Sequence, residues 1–176
     1  MLLRLAFGIL AGVLPGTALH GQTVNEYRVK AAFLYNFAKF VEWPAHGAKG
    51  PGDAIAICVL GKNPFGDALA EAVNGKTIEN TPFIVRQLAD VQEAGACRIL
   101  FISSSERKNF HAILSGLRTA HVLTVGEADN FTAEGGIVTF KVEDGSVRIQ
   151  INPDAAAEAK LHISSKLLSL AQIVSR

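Results

Sequence analysis

The most strongly patterned stretch of the chain covers residues 27–44, YRVKAAFLYNFAKFVEWP. At helical spacing, Tyr27, Ala31, Leu34, Ala38 and Val41 fall on one apolar stripe. Phe33, Phe37 and Phe40 form a second stripe beside it, and Arg28, Asn36 and Lys39 mark a narrow polar face. Thr23 and Glu26 have the spacing of a capping box, so the helix is expected to start there. Pro44 ends it, because the residue before a proline is pushed out of the helical region. The helix is read as a cover for a sheet. One sheet face rarely needs both stripes, so the second stripe has another reading: contact with a second subunit or a partner protein. The residues assigned to that interface are Phe33, Phe37, Phe40 and Trp43.

Downstream, a loop of small residues over 46–53 leads into residues 54–60 (AIAICVL), an almost unbroken apolar run. Such a run suits a strand buried on both faces, as in an α/β sheet. Asn63-Pro64 reads as a helix start, with Leu69 and Val73 facing inward. Residues 76–80 read as a short strand, then 83–88, 98–103 and 121–125 as longer ones. Between the last two, Ser103 and Glu106 open a helix whose buried stripe is Phe110, Ile113, Leu114 and Leu117. This alternation predicts a mostly parallel sheet flanked by helices. Residues 136–142 and 146–151 then alternate about Asp144-Gly145, which is a hairpin signal. Asn152-Pro153 opens a further helical region, and Leu167, Leu168, Leu170, Ala171 and Val174 predict a C-terminal helix docked on the sheet. The expected fold is therefore an α/β sandwich with a mostly parallel central sheet, a C-terminal β-hairpin and a docking helix.

Residues 1–22 stand outside that rhythm. Arg4 precedes a short apolar run over 5–14, Pro15 and Gly16 break it, and small residues follow up to Ala18. That is the pattern of a secretory signal peptide, cut after Ala18 or Gly21. The remaining 23–176 has the length of a single domain, and with 49% hydrophobic residues overall it can build a sizeable core. An exported protein of the periplasm is expected, with no membrane span once the leader is removed. A net charge of +1, with no basic cluster among aromatics, argues against nucleic acid. Export also changes the reading of Cys58 and Cys97, the only two cysteines. In an oxidising compartment an even pair suggests a disulfide, and two unpaired core thiols are the other reading.

Candidate chemistry is thin. The stretch AEAVNGKT (70–77) ends like a phosphate-binding loop, but its first glycine is missing and a helix precedes it. Ser105-Glu106-Arg107-Lys108 has a serine–lysine spacing without its companion motifs. His46, His111, His121 and His162 lie far apart, and no CxxC or HxxxH spacing offers a metal site. No catalytic residue, metal ligand or cofactor is assigned, and the chain is read as a non-enzyme. A small ligand would be expected at the strand ends, near residues 61–65, 103–105 and 126–130.

The quoted segments together resemble a known group. Residues 30–44 (KAAFLYNFAKFVEWP) look like the signature helix of the YfiR family of small exported bacterial proteins. Five further segments agree in order: ICVLGKNPFG (57–66), CRILFIS (97–103), VLTVGE (122–127), FTAEGGIVTF (131–140) and INPDAAAEAKLHISSKLLSLA (151–171). The resemblance implies a periplasmic α/β sandwich, often a homodimer. It implies a regulator that binds the periplasmic domain of an inner-membrane diguanylate cyclase and holds it inactive, lowering cyclic di-GMP and limiting biofilm. It places Cys58 and Cys97 at the family's structural pair and links their oxidation to repressor stability. Characterised members can carry a second cysteine pair near the hairpin. Residues 136–151 of this chain have none, which weakens the case for a redox switch. A periplasmic small-molecule-binding sensor module is the alternative function.

Overall fold

The structure is a computed structural model that describes residues 18–44 and 53–174. Of the expected leader over 1–22, residues 1–17 lie outside the described residues, as does most of the loop over 46–53, while residues 18–22 belong to the first helix.

The first helix, α1 (Ala18–Phe40), is followed by the two-residue strand β1 (Val41–Glu42). Strands β2 (Ile55–Leu60), β4 (Thr81–Leu88), β5 (Ile99–Ile102), β6 (Leu123–Gly126), β7 (Val138–Glu143) and β8 (Ser146–Ile151) build the main sheet. Short edge strands β3 (Thr77–Ile78) and β10 (Gln172–Ile173) complete its eight strands, in the order β10-β8-β7-β6-β5-β2-β4-β3. The run from β4 through β2, β5 and β6 to β7 is parallel throughout. The hairpin partner β8 is antiparallel to β7. The two-residue strand β9 (His162–Ile163) pairs separately with β1.

The unbroken apolar strands are explained by two cores. Ile57, Val59, Phe101, Val125 and Phe140 face one side, where they meet Ala31, Leu34 and Phe37 of α1 and Leu69 of α2 (Ala68–Val73). Cys58, Leu60, Leu100 and Ile102 face the other side, where they meet Phe110, Ile113, Leu114 and Leu117 of α3 (Phe110–Leu117). Successive strand residues point to opposite faces, so covering both faces requires apolar residues at every position. The mostly parallel α/β sandwich is the fold expected above. The hairpin turns where it should: Asp144 and Gly145 have φ of 49° and 72°, the two positive values a tight hairpin turn needs.

Several local expectations are corrected. Helix α1 starts at Ala18, upstream of the Thr23–Glu26 capping spacing. Asn63 caps no helix: its Oδ1 accepts a hydrogen bond from the Phe65 backbone at 2.9 Å, forming an Asx turn, and α2 begins only at Ala68. Ser103 accepts from Ser105 N and opens a 3-10 turn over Ser104–Asn109, with α3 following. The capping box lies instead at Asp90 and Glu93, around a 3-10 turn over Val91–Ala96. Gly135 has a φ of 102°, and a Cβ at Gly136 would strike the Phe131 ring.

Asn152 caps α4 (Pro153–Glu158), and the predicted C-terminal docking helix shrinks to one turn, α5 (Ser165–Leu168). After it the chain lies along β8 as the parallel strand β10, with Val174 N donating to Ile151 O at 2.9 Å. The Gln150 and Gln172 side-chain amides bond across the same pair at 2.8 Å. Without β10 the outer edge of β8 would be unpaired, and satisfying that edge outweighs the helical pattern of the leucines.

Candidate functional site

Two side chains one helical turn apart on α1, Tyr27 and Lys30, face the carboxyl end of β6. Strand β6 stops at Gly126, and Glu127 follows directly. Lys30 is only 3% exposed, although it carries a charge. Its Nζ lies 2.8 Å from Glu127 Oε2 and also pairs with Glu26, four residues earlier on the same helix. The Tyr27 hydroxyl donates to Glu127 Oε2 at 3.1 Å, and Ser104 Oγ, just past β5, donates to Oε1 at 3.5 Å. Burial, and then the charge of Glu127, push the Tyr27 hydroxyl above its ordinary pKa, so it stays a donor. The Lys30 ammonium also sits 4.5 Å from the centre of the Tyr27 ring.

These groups line a polar cleft of about 700 Å³ at the carboxyl ends of the parallel strands. Ligand crevices of open α/β sheets lie in that position. Asp129 and Lys141 line it too and form an ion pair, and hydrogen bonding from Lys141 holds the Asp129 carboxyl below its usual range. Of the three strand-end regions named from sequence, the structure brings Ser104, Glu127 and Asp129 together here. The third region, around Gly61, is tied in through Lys62 N, which donates to Ser105 Oγ at 2.9 Å.

The Lys30–Glu127 pair fastens α1 to the sheet. Removing one partner of a buried pair leaves the other charge stranded, at a cost of roughly 3–5 kcal/mol when fully buried. Glu127 keeps two neutral donors and some solvent, so Lys30→Ala is expected to cost about 2 kcal/mol. A urea titration should show that loss, and adding Glu127→Gln to Lys30→Ala should recover part of it. No loss in the single variant would mean that the pair does not hold the helix.

Beside the polar cleft, and sharing Glu26 and Val142 with it, runs an apolar groove of about 600 Å³ between α1 and the β7–β8 hairpin. Val29, Phe33, Val142 and Val147 line it. Val142 and Val29 are 51% and 37% exposed and lie on the same groove, so it presents an open apolar patch.

The four aromatics placed at an interface from sequence meet different neighbours. Phe33 is half-buried at the groove, with its ring centre 6.0 Å from that of Phe140. Phe37 is 0% exposed and stacks on Phe140 at 5.9 Å, inside the core. Phe40 is half-buried beneath Lys166, whose Nζ is 5.2 Å from the ring centre. Trp43 is half-buried against Arg98. Cys58 and Cys97 are bonded as a disulfide that joins β2 to the chain just before β5. Sequence reading missed Tyr27, Lys30 and Glu127 as a unit, since no spacing links residues so far apart. The available signal was a lysine set among aromatics inside an otherwise apolar segment.

A mostly parallel sheet covered by helices on both faces, with clefts at its strand ends, defines an α/β sandwich domain. The chain belongs to the YfiR/HmsC-like family, whose model matches residues 27–172. That is a regulatory rather than a catalytic family. Among solved structures, the chain is similar to a conserved domain protein from Vibrio cholerae, with a TM-score of 0.58 and 11% identity over 85% of this chain. It is also similar to an ABC domain from Streptococcus pneumoniae in complex with L-Trp, with a TM-score of 0.50 and 9% identity over 87% of this chain. At such identities the likeness concerns fold alone. The chain spans 60% of the length of each of those two proteins. No curated protein matches it. Among the described residues, no helix is long and apolar enough to cross a membrane.

Proposed function

We propose that this chain is an exported periplasmic regulator, with a leader over 1–22 and a single domain over 23–176. It binds the periplasmic part of an inner-membrane signalling protein, a diguanylate cyclase, and holds that enzyme inactive. The observation that carries this reading is the family match across residues 27–172. The groove between α1 and the hairpin supports it as the docking surface. Its floor is apolar, through Val29, Phe33 and Val147, and in the adjoining cleft Glu26 and Glu127 share Lys30 while Glu143 adds a carboxylate with no ion pair among the described residues. A partner segment with apolar side chains flanked by basic ones complements that surface.

The experiment is genetic. Deleting the gene should raise cyclic di-GMP, and restoring it should lower the level again. A Val29→Asp, Val142→Asp double variant should be exported in equal amount yet fail to lower it, since two carboxylates in an apolar groove oppose docking. An unchanged cyclic di-GMP level in the deletion strain would contradict the proposal.

The polar cleft favours a second reading, a small-molecule sensor module. It has the size and strand-end position of a ligand site. The similar fold from Streptococcus pneumoniae, whose structure is a complex with L-Trp, supports that use of such a domain.

A further inference from the structure

The outer edge of β8 is covered over part of its length only. Strand β8 has six residues, and β10 pairs with two of them, Gln150 and Ile151. Val174 N donates to Ile151 O across that edge, so Ile151 turns its backbone groups outward. In an extended strand Val147 and Ile149 turn theirs the same way. Among the described residues no strand pairs with β8 outside Val147. An open strand edge is a ready template for another strand, and folded chains usually cover it.

The strand that does the covering is lightly held. Leu167 of α5 is buried, but beyond it Leu170 and Ile173 are 68% and 50% exposed. Besides the short ladder, the bond between the Gln150 and Gln172 amides is the tie to β8. A segment with few buried apolar side chains opens at low cost. Nor can β10 begin any earlier, because Leu170 N and Ala171 N bond back to Leu167 O and Leu168 O in the turn that ends α5. A strand without that tether can pair along the whole of β8.

We propose that the partner protein adds an extended segment to the edge of β8 and displaces β10. This addition rests on the docking reading above, because Val147 lines the docking groove as well as the open edge. The pleat sets the chemistry of the segment. Val147 and Ile149 pack into the core beneath α1, so residues paired with them face the same side and extend the apolar floor of the groove. Residues beside Arg148 face the opposite side. Arg148 is exposed and has no ion pair among the described residues. Opposite charges on neighbouring strands attract, so an acidic residue fits there. The segment is a strand that is apolar on one face and acidic at the centre of the other.

Capture from detergent-solubilised inner membranes by the mature protein and its variants tests this. Val147→Pro removes an outward N–H, and proline is tolerated on an edge strand where the N–H faces solvent, so the variant should fold. It cannot donate to an added strand, and its capture of the signalling protein should fall about tenfold. Val147→Ala trims the same side chain but keeps the N–H, and should lose clearly less. A chain ending at Ala171 lacks β10 and should capture the partner about tenfold more tightly, because no internal strand competes. Equal capture by folded Val147→Pro and the unaltered protein overturns the proposal, as does an equal loss in Val147→Pro and Val147→Ala. If Val147→Pro keeps its capture while the Val29→Asp, Val142→Asp variant loses it, strand addition fails and groove docking stands. No capture by the unaltered protein overturns both. Should Val147→Pro fail to fold, amide hydrogen exchange on the unaltered protein decides. The Ile151 N–H beneath β10 should exchange about a hundredfold faster than that of Ile57 in the central strand β2. Equal protection of the two would show that β10 stays in place and would overturn its displacement.

Discussion

Phe37→Glu is expected to abolish folding, not to release a folded monomer. The Phe37 ring is 0% exposed, stacks on Phe140 at 5.9 Å and lies 6.0 Å from Phe33. Truncating a buried phenylalanine to alanine already costs about 3–5 kcal/mol. A carboxylate at that position adds the cost of an unpaired buried charge, or of protonation to avoid one. The sum approaches the roughly 5–15 kcal/mol that holds a whole domain together. Circular dichroism and urea titration decide the outcome, with Phe37→Leu as a control that should stay folded. A folded Phe37→Glu protein that runs as a smaller species than the unaltered one would return Phe37 to an interface. Phe33 and Phe40, each half-buried, remain available to a partner.

Removing the disulfide should cost about 4 kcal/mol. Cys58 and Cys97 are 39 positions apart, and the chain-entropy relation gives roughly 4 kcal/mol for a closed loop of that length. Cys58→Ala with Cys97→Ala, followed by urea titration, measures it. The placement also bears on redox behaviour. Both cysteines are 0% exposed, within the core beneath α3. A thiolate reductant must reach a sulfur, so reduction waits for local opening. Dithiothreitol should therefore reduce the bond slowly under native conditions and rapidly in urea, as followed by thiol alkylation and mass spectrometry. Equally fast reduction in both would show an accessible, switch-like disulfide.

The fold was largely legible because both sheet faces are covered. That forces continuous apolar runs such as IAICVL in β2 and ILFI in β5, and these are hard to misread. Local start and stop signals were less reliable. Asn63-Pro64 is sound helix-start chemistry, yet Asn63 spends its side chain on Phe65 N. The leucines near the C-terminus have helical spacing, but the open edge of β8 draws the chain into β10. The candidate sites were hardly legible at all. Lys30 and Glu127 are separated by 97 positions, and Val147 lines one groove with Val29 only because the hairpin lies beside α1. Juxtapositions made by tertiary folding leave no spacing in sequence.

The central claim is that this domain docks on a membrane signalling protein through the groove between α1 and the hairpin. Its most direct test is capture from detergent-solubilised inner membranes by the mature protein, with the Val29→Asp, Val142→Asp variant in parallel. The account predicts that the unaltered protein retains a diguanylate cyclase and that the folded variant loses it. Capture of no inner-membrane signalling protein, or equal capture by both, would contradict it.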